Sequence, residues 1–190
     1  MRVLGITGSL RQGSLNDALL RAAAERLPAG AELIRFEHLR EIPPYDEDLE
    51  LEGIPDAVRE LREEMRAADA VLVATPEYNH SIPGVLKNAL DWASRPAGRS
   101  ALSGKPAAAI GASTGMFGAV WAQAETRKVL GALGGRVIET ELPVAHADKL
   151  LVGGRLELDP RQSEQLEEIL AELVSAAEES EEFARERVAA

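Results

Sequence analysis

The feature that most constrains this chain is a repeated change of hydrophobic period. Five short apolar runs read as strands: "RVLGIT" (2–7), "AELIRF" (31–36), "DAVLVAT" (69–75), "KPAAAIGAS" (105–113) and "GRVIET" (135–140). Between and after them lie longer segments whose apolar residues recur every three or four positions. In "LNDALLRAAAERL" (15–27), Leu15, Leu19, Leu20, Ala23 and Leu27 fall on one helical face, and "PAG" (28–30) stops the pattern. The other helical segments are "IPDAVRELREEMRAA" (54–68), "IPGVLKNALDWAS" (82–94), "GAVWAQAETRKVLGALG" (118–134) and "DPRQSEQLEEILAELVSAAEE" (159–179). Pro55 and Pro160 stand where a helix accepts proline, in its first turn. Strands alternating with helices predict a parallel sheet covered on both faces. The nearly unbroken apolar run at 69–75 fits a strand buried on both sides.

With short right-handed crossovers, the expected strand order is 2-1-3-4-5. This is a flavodoxin-like α/β three-layer sandwich around a five-stranded parallel sheet. At 190 residues one well-buried domain fits, expected over residues 1–177, with 178–190 an acidic helix end or tail fraying into solvent. Ligands in such sheets gather at the carboxyl ends of the strands, beside the point where strand order reverses. Three loops meet that description: "TGSLRQGSLN" (7–16), "TPEYNHSIPG" (75–84) and "GASTGMFG" (111–118).

The first loop offers hydroxyls at Thr7, Ser9 and Ser14, an amide at Asn16, a guanidinium at Arg11 and the free N–H groups of a helix start. That set suits a terminal phosphate, a near-dianion with three acceptor oxygens. Its glycines fit neither the P-loop nor the dinucleotide fingerprint. The plainer reading is a strand-to-helix turn with Ser14 as the helix N-cap. The second loop sets Glu77, Tyr78, Asn79 and His80 between Pro76 and Pro83, so its peptide groups can face a flat heteroaromatic ring. In the third, Gly111, Gly115 and Gly118 leave room for a planar group, and Met116 and Phe117 can cover its edge.

Bulk properties exclude several classes. Without cysteine there are no disulfides, thiolate metal sites or thiol nucleophiles. The apolar runs are far shorter than a membrane span, and Met1-Arg2 leads straight into the first strand, so neither a membrane anchor nor a leader is expected and a cytoplasmic location is the default expectation. A net charge of −11 argues against a nucleic-acid surface, and any anion must be held by local positive potential. His38, His80 and His146 have no metal-ligand spacing.

"GSLRQGSLN", "PEYNHSIPGVLKNALDWASRP" and "GASTGMFG", in that order and spacing, resemble the NADPH-dependent FMN reductase family, over roughly residues 2 to 140. The resemblance implies a flavodoxin-like flavoenzyme, reduced by NADPH or NADH, that passes electrons to quinones, flavins, azo compounds or metal oxyanions. It implies that Ser9, Arg11, Ser14, Leu15 and Asn16 hold the FMN phosphate. Pro76, Glu77, Tyr78 and Asn79 would run along the isoalloxazine, with Ser113, Thr114 and Gly115 near the ring or ribityl chain. Donor and acceptor would use one open face in turn, by ping-pong kinetics. No dedicated catalytic side chain is required, because the flavin carries the chemistry; His80 is the one candidate proton donor. Members usually assemble as homodimers or homotetramers with the site near an interface. The chain departs from the family pattern at Trp121, where a basic residue is common, and at Thr126-Arg127, where a leucine commonly precedes the arginine.

Two other readings stay open at this stage. "GASTG" (111–115) matches the G-x-S-x-G nucleophile elbow, with Ser113 as nucleophile. Its triad would need His146, and the nearby acids Glu139, Glu141 and Asp148 are too close or in the wrong order. The second is a non-enzymatic electron carrier of flavodoxin type. Elsewhere, the acid run Asp46, Glu47, Asp48, Glu50, Glu52 is expected to be a solvated loop, or a lid or subunit contact. Trp92 is expected in helix core or at a subunit interface.

Overall fold

The computed structural model describes residues 1–189, with side chains described through residue 180 and at residue 182. The strands are β1 (Arg2–Thr7), β2 (Glu32–Arg35), β3 (Ala70–Thr75), β4 (Pro106–Ala112), β5 (Arg136–Val137), β6 (Pro143–Val144), β7 (Leu151–Val152) and β8 (Arg155–Leu156). The α-helices are α1 (Leu15–Ala24), α2 (Glu47–Glu52), α3 (Asp56–Ala67), α4 (Gly84–Ala93), α5 (Val120–Ala132) and α6 (Pro160–Ala189). The central sheet is parallel in the order β2-β1-β3-β4-β5, with β6 also paired to β4. This is the flavodoxin-like arrangement that the alternation of periods predicts.

Strand alternation divides the core in two. Val3, Ala70, Leu72, Ala74, Ala108 and Ile110 face α1 and α6 through Leu19, Leu20, Leu166, Ile169, Leu170 and Leu173. Leu4, Ile6, Val71, Val73 and Ala107 face α3, α4 and α5 through Leu61, Met65, Leu86, Leu90 and Leu130. Both faces of β1, β3 and β4 are thus covered, which fixes the register and leaves the strand ends as the place for polar loops. Among the described residues, no helix is long and apolar enough to cross a membrane.

The structure departs from the sequence reading at several points. Helix α1 ends at Ala24, short of Leu27, because the residue before Pro28 is kept out of the helical region. The acid run is not a bare loop: Asp46 accepts the Asp48 N–H at 2.9 Å and caps the short helix α2. Glu50 from that helix meets the buried Arg62 at 2.9 Å, and Arg62 Nε donates to the Trp92 carbonyl at 2.9 Å. A buried guanidinium needs such partners. Trp92 is wholly buried, with Nε1 donating to the Pro43 carbonyl at 2.8 Å and the ring edge-on to Tyr45, so it is core and no interface residue.

The fifth strand is broken. Arg136 and Val137 pair with Pro106 and Ala107, the chain leaves the sheet, and Pro143 and Val144 return beside Gly111 and Ala112. Beyond them, β7 and β8 form a hairpin that the hydrophobic pattern does not announce. The expected tail from residue 178 continues α6 through Ala189, while Ala190 lies outside the described residues.

Candidate functional site

The site is built where β1, β3 and β4 end. The loop after β1 turns under tight packing: Gly8 N–H donates to Ala74 at 2.8 Å, and a Cβ on Gly8 would lie 3.0 Å from Leu86 and 3.2 Å from Pro76. Ser14 caps α1, its hydroxyl accepting the N–H groups of Asn16 at 3.2 Å and Asp17 at 3.3 Å. Asn16 is 2% exposed and turns away from solvent. Its Nδ2 donates to the Ala112 carbonyl at 2.8 Å, and its Oδ1 accepts the Ala112 N–H at 2.9 Å. One amide side chain thereby joins the first loop to the start of the third.

Between these fixed points the backbone N–H groups of Gln12, Gly13, Ser14 and Leu15 donate to no protein acceptor among the described residues. Gly13 reaches this geometry with φ of +67°, a region a glycine enters without strain. Arg11 is exposed and meets no carboxylate among the described residues, whereas neighbouring Arg35 and Arg21 are both held by Asp17. Arg40 Nη2 donates to the Leu10 carbonyl at 2.7 Å and braces the loop from the β2 side, where a cleft of about 220 Å³ opens beside Ser9, Arg11 and Gly13. Free amides at a helix start with one uncommitted guanidinium fit a phosphate group.

The loop after β3 is a tight hairpin. Tyr78 and Ser81 exchange backbone bonds of 3.0 and 3.1 Å around Asn79 and His80, whose φ values are +53° and +60°. Two successive left-handed residues mark a type I′-like turn, and Asn and His are among the side chains that tolerate it. The turn throws Tyr78, Asn79 and His80 outward, while Pro76 stays buried and Thr75 Oγ1 donates to its carbonyl at 2.8 Å. Glu77 points inward instead. Its Oε2 accepts the N–H groups of Trp121 at 3.1 Å and Ala122 at 3.2 Å in the first turn of α5.

The loop after β4 has no freedom at either end. A Cβ on Gly111 would lie 3.0 Å from Ala119, Gln123 and the Thr75 carbonyl, and one on Gly118 would lie 2.5 Å from the Pro143 backbone. Between them Ser113 N–H donates to Val144 at 3.0 Å, Ala147 N–H to Ser113 at 3.0 Å and His146 N–H to Gly115 at 3.1 Å. Buried Gln123 donates to the Gly118 carbonyl and accepts the Leu142 N–H at 2.9 Å. The segment 142–147 therefore backs the whole loop, leaving Ser113 half-exposed and Thr114 and Gly115 open to solvent. The Ser113 hydroxyl lies 3.5 Å from the Gly115 carbonyl, and His146 meets this loop through its backbone.

The rim is apolar. Tyr78, Met116, Phe117 and Trp121 are 53%, 68%, 53% and 40% exposed, and the Trp121 ring sits edge-on to both Phe117 and His80. A polar anion seat at one end and an apolar, flat-walled rim at the other match the two ends of FMN. All three sequence-chosen loops are in contact. Sequence reasoning missed Arg40, Gln123 and the segment 142–147; two-residue strands carry no periodicity, so nothing in the pattern marks them.

Comparison with known proteins agrees with this geometry. Residues 1–149 match the family model described as NADPH-dependent FMN reductase. A Pseudomonas aeruginosa protein named NAD(P)H-dependent FMN reductase is 53% identical over 130 residues, spanning 68% of this chain and 69% of that one. A quinone reductase of Pseudomonas putida is 40% identical over 153 residues, spanning 80% of this chain and 78% of that one. Among solved structures, the Paracoccus denitrificans flavoenzyme NAD(P)H:(acceptor) oxidoreductase superposes with a TM-score of 0.81 at 34% identity, covering 94% of this chain and 97% of that one.

Proposed function

This chain belongs to the NADPH-dependent FMN reductase family, and from that premise we propose that it carries electrons from NAD(P)H to quinones and related flat acceptors by alternate use of one open face. It is an NAD(P)H-dependent FMN and quinone reductase with FMN as cofactor. Bound FMN supplies hydride acceptance and two-electron release; the chain supplies position and electrostatics. The observation that carries the reading is the run of unspent N–H groups from Gln12 to Leu15 beside Arg11, set against the apolar rim across the same strand ends.

Ser9, Arg11, Ser14 and the amides through Leu15 hold the phosphate, while Asn16 holds the loop that does so. The backbone of Pro76, Glu77, Tyr78 and Asn79 lines one edge of the ring, and Ser113, Thr114 and Gly115 line another. Tyr78 and Phe117 bound the stacking face and exclude water from it. His80, exposed on the turn, is the candidate proton donor to a reduced product in this proposal. Azo compounds and free flavins belong to the same acceptor set because they are flat, and metal oxyanions, which are not, because an open face gives them access. Residues 1–177 act as the reductase domain, assembled as a homodimer or homotetramer, in the cytoplasm where reduced nicotinamide is made.

An absorbance spectrum of the purified protein and an oxygen-free NADPH titration test this reading. We expect a yellow protein, or a colourless one that FMN makes yellow, bleached by NADPH and recoloured by a quinone after the oxidised nicotinamide has been removed. Hydride transfer confined to a ternary complex refutes the shared face. A flavin that neither nicotinamide reduces points to an electron carrier.

A further inference from the structure

Helix α5 begins without a cap of its own. Its N-cap residue is Ala119, at φ of +62° and with no side chain able to accept a hydrogen bond. That conformation follows from the packing before it, where Gly118, also left-handed, is pressed against Pro143 and Val144. The first amides of a helix still need acceptors. Val120 N–H is taken by the Phe117 carbonyl at 3.2 Å and Gln123 N–H by Ala119 at 3.0 Å. The two between them, Trp121 and Ala122, are taken by one oxygen of Glu77, which belongs to the loop after β3. A carboxylate suits this position, because it faces the positive end of the helix dipole. Glu77 is 13% exposed, and its other oxygen lies 3.6 Å from His80 Nδ1. One turn further along α5, the Ser81 hydroxyl bonds the Glu125 carboxylate.

We propose that Glu77 is a positioning residue: its carboxylate clamps the loop after β3 to α5, so that the two walls of the ring site move as one body. The carboxylate acts through α5 and makes no contact of its own with the flavin, whose ring edge meets only the Glu77 backbone. The inference rests on the reading that the flavin ring lies along these two loops. The Ser81–Glu125 bond closes the same clamp at its outer edge, and the Trp121 ring, held edge-on to His80, is carried with it.

The test uses the full chain, first without FMN and then with it. In the flavin-free protein, amide hydrogen exchange at Trp121 and Ala122 is expected to quicken about tenfold in Glu77→Ala, as for loss of a charge-assisted bond of about 1.4 kcal/mol. Glu77→Gln keeps an acceptor oxygen and should stay within about threefold of wild type on the same scale. Glu77→Asp keeps the charge but stops one methylene short, and should behave like the alanine variant. The dissociation constants of FMN and riboflavin should rise by the same factor in Glu77→Ala, since the ring end and not the phosphate end is disturbed. Unchanged exchange in Glu77→Ala overturns the clamp. Faster exchange with unchanged affinity for both flavins reduces it to a helix cap and overturns the positioning role. Weakened binding in Glu77→Gln with wild-type exchange shows direct contact with flavin and overturns it as well. Should Glu77→Ala fail to fold, Gln against Asp carries the same comparison. A wild-type chain that binds no flavin breaks the functional reading, while the exchange arm still decides the clamp.

Discussion

At the loop after β1 two polar side chains are buried and satisfied: Ser14 caps α1, and both ends of the Asn16 amide are taken by Ala112. At the loops after β3 and β4 the large side chains are exposed, with Tyr78, Met116, Phe117 and Trp121 standing out of the surface. Both regions sit at the same edge of one sheet. The first is anchored by protein hydrogen bonds, with the backbone N–H groups from Gln12 to Leu15 and the exposed Arg11 left to spend. The second presents an exposed apolar surface, the kind that marks a binding face. An anion seat profits from rigidity, because charge-assisted bonds weaken steeply when donors wander. A face visited in turn by different flat molecules profits from openness. Under the function proposed above, the phosphate end would fix the cofactor and the ring end would decide what reacts.

The largest effect expected from this contrast is on folding. Asn16→Ala removes both side-chain hydrogen bonds to buried Ala112; an unsatisfied carbonyl costs about 1–3 kcal/mol and the lost bond to the N–H about 1 more, so stability should fall by about 2–4 kcal/mol. Trp121→Ala at the ring end touches an exposed side chain and should cost no more than about 1 kcal/mol. Denaturant melts of the flavin-free variants measure both. Equal losses would mean that the ring end is as preorganised as the phosphate end, and the comparison would fail.

Next in size is the phosphate bond itself. Arg11→Ala should weaken FMN binding by about 1.5–3 kcal/mol, the range for hydrogen bonds to charged groups, while the fold stays intact because Arg11 is exposed. Riboflavin, which lacks the phosphate, should bind wild type and variant alike. A loss shared by FMN and riboflavin would show that Arg11 supports the loop and not the ligand. Together with Glu77→Ala, which should weaken both flavins, this separates the two ends by ligand and not by inference from position.

The fold was legible because its signal is repeated: five strands, each followed by a Pro or Gly before the next helical run, leave few topologies. The three loops were legible for the same reason, since the strand order says where ligands gather. What escaped has no repeat to betray it. The acid run looked like a solvated loop because charge hides a short helix whose cap is Asp46 and whose Glu50 answers a buried Arg62 far along the chain. Trp92 could be read as core or interface, and only packing against Pro43 and Tyr45 assigns it to the core. The side chains of Asn16 and Glu77 stand in loops that face a ligand, yet their partners are 96 and 44 residues away. Polar residue types at a site announce hydrogen bonds without saying whether to ligand or protein.

A smaller effect concerns assembly. If the proposed homodimer or homotetramer forms through the exposed rim, Trp121→Glu should shift the association equilibrium toward monomer and loosen FMN about tenfold, near 1.4 kcal/mol. Sedimentation at a series of dilutions, read at the protein and flavin absorbances, should show FMN leaving in parallel with dissociation, because binding to the assembled form links the two. A demonstrated wild-type monomer that keeps its full FMN complement would detach the rim from assembly and leave it to the reacting molecules alone.

The smallest effect is expected at Ser113, where the contrast between the two ends meets the rival reading of the loop as a nucleophile elbow. Its backbone is fixed by Val144 and Ala147, but its hydroxyl has only a 3.5 Å approach to the Gly115 carbonyl, at the edge of a hydrogen bond. A nucleophilic serine would need a base within reach of that hydroxyl, and His146 joins this loop through its N–H to Gly115. Ser113→Ala therefore removes one weakly held hydroxyl from an open wall. FMN affinity should drop by no more than about 1 kcal/mol, in the range of a single neutral hydrogen bond, and turnover with NADPH and a quinone should remain measurable. A fluorophosphonate probe should leave the wild-type chain unlabelled. Labelling at Ser113, abolished in the alanine variant, would return the loop to acyl-transfer chemistry. A loss as large as that of Arg11→Ala would instead make Ser113 a principal flavin contact, and the ring end would then be less open than its exposed rim implies.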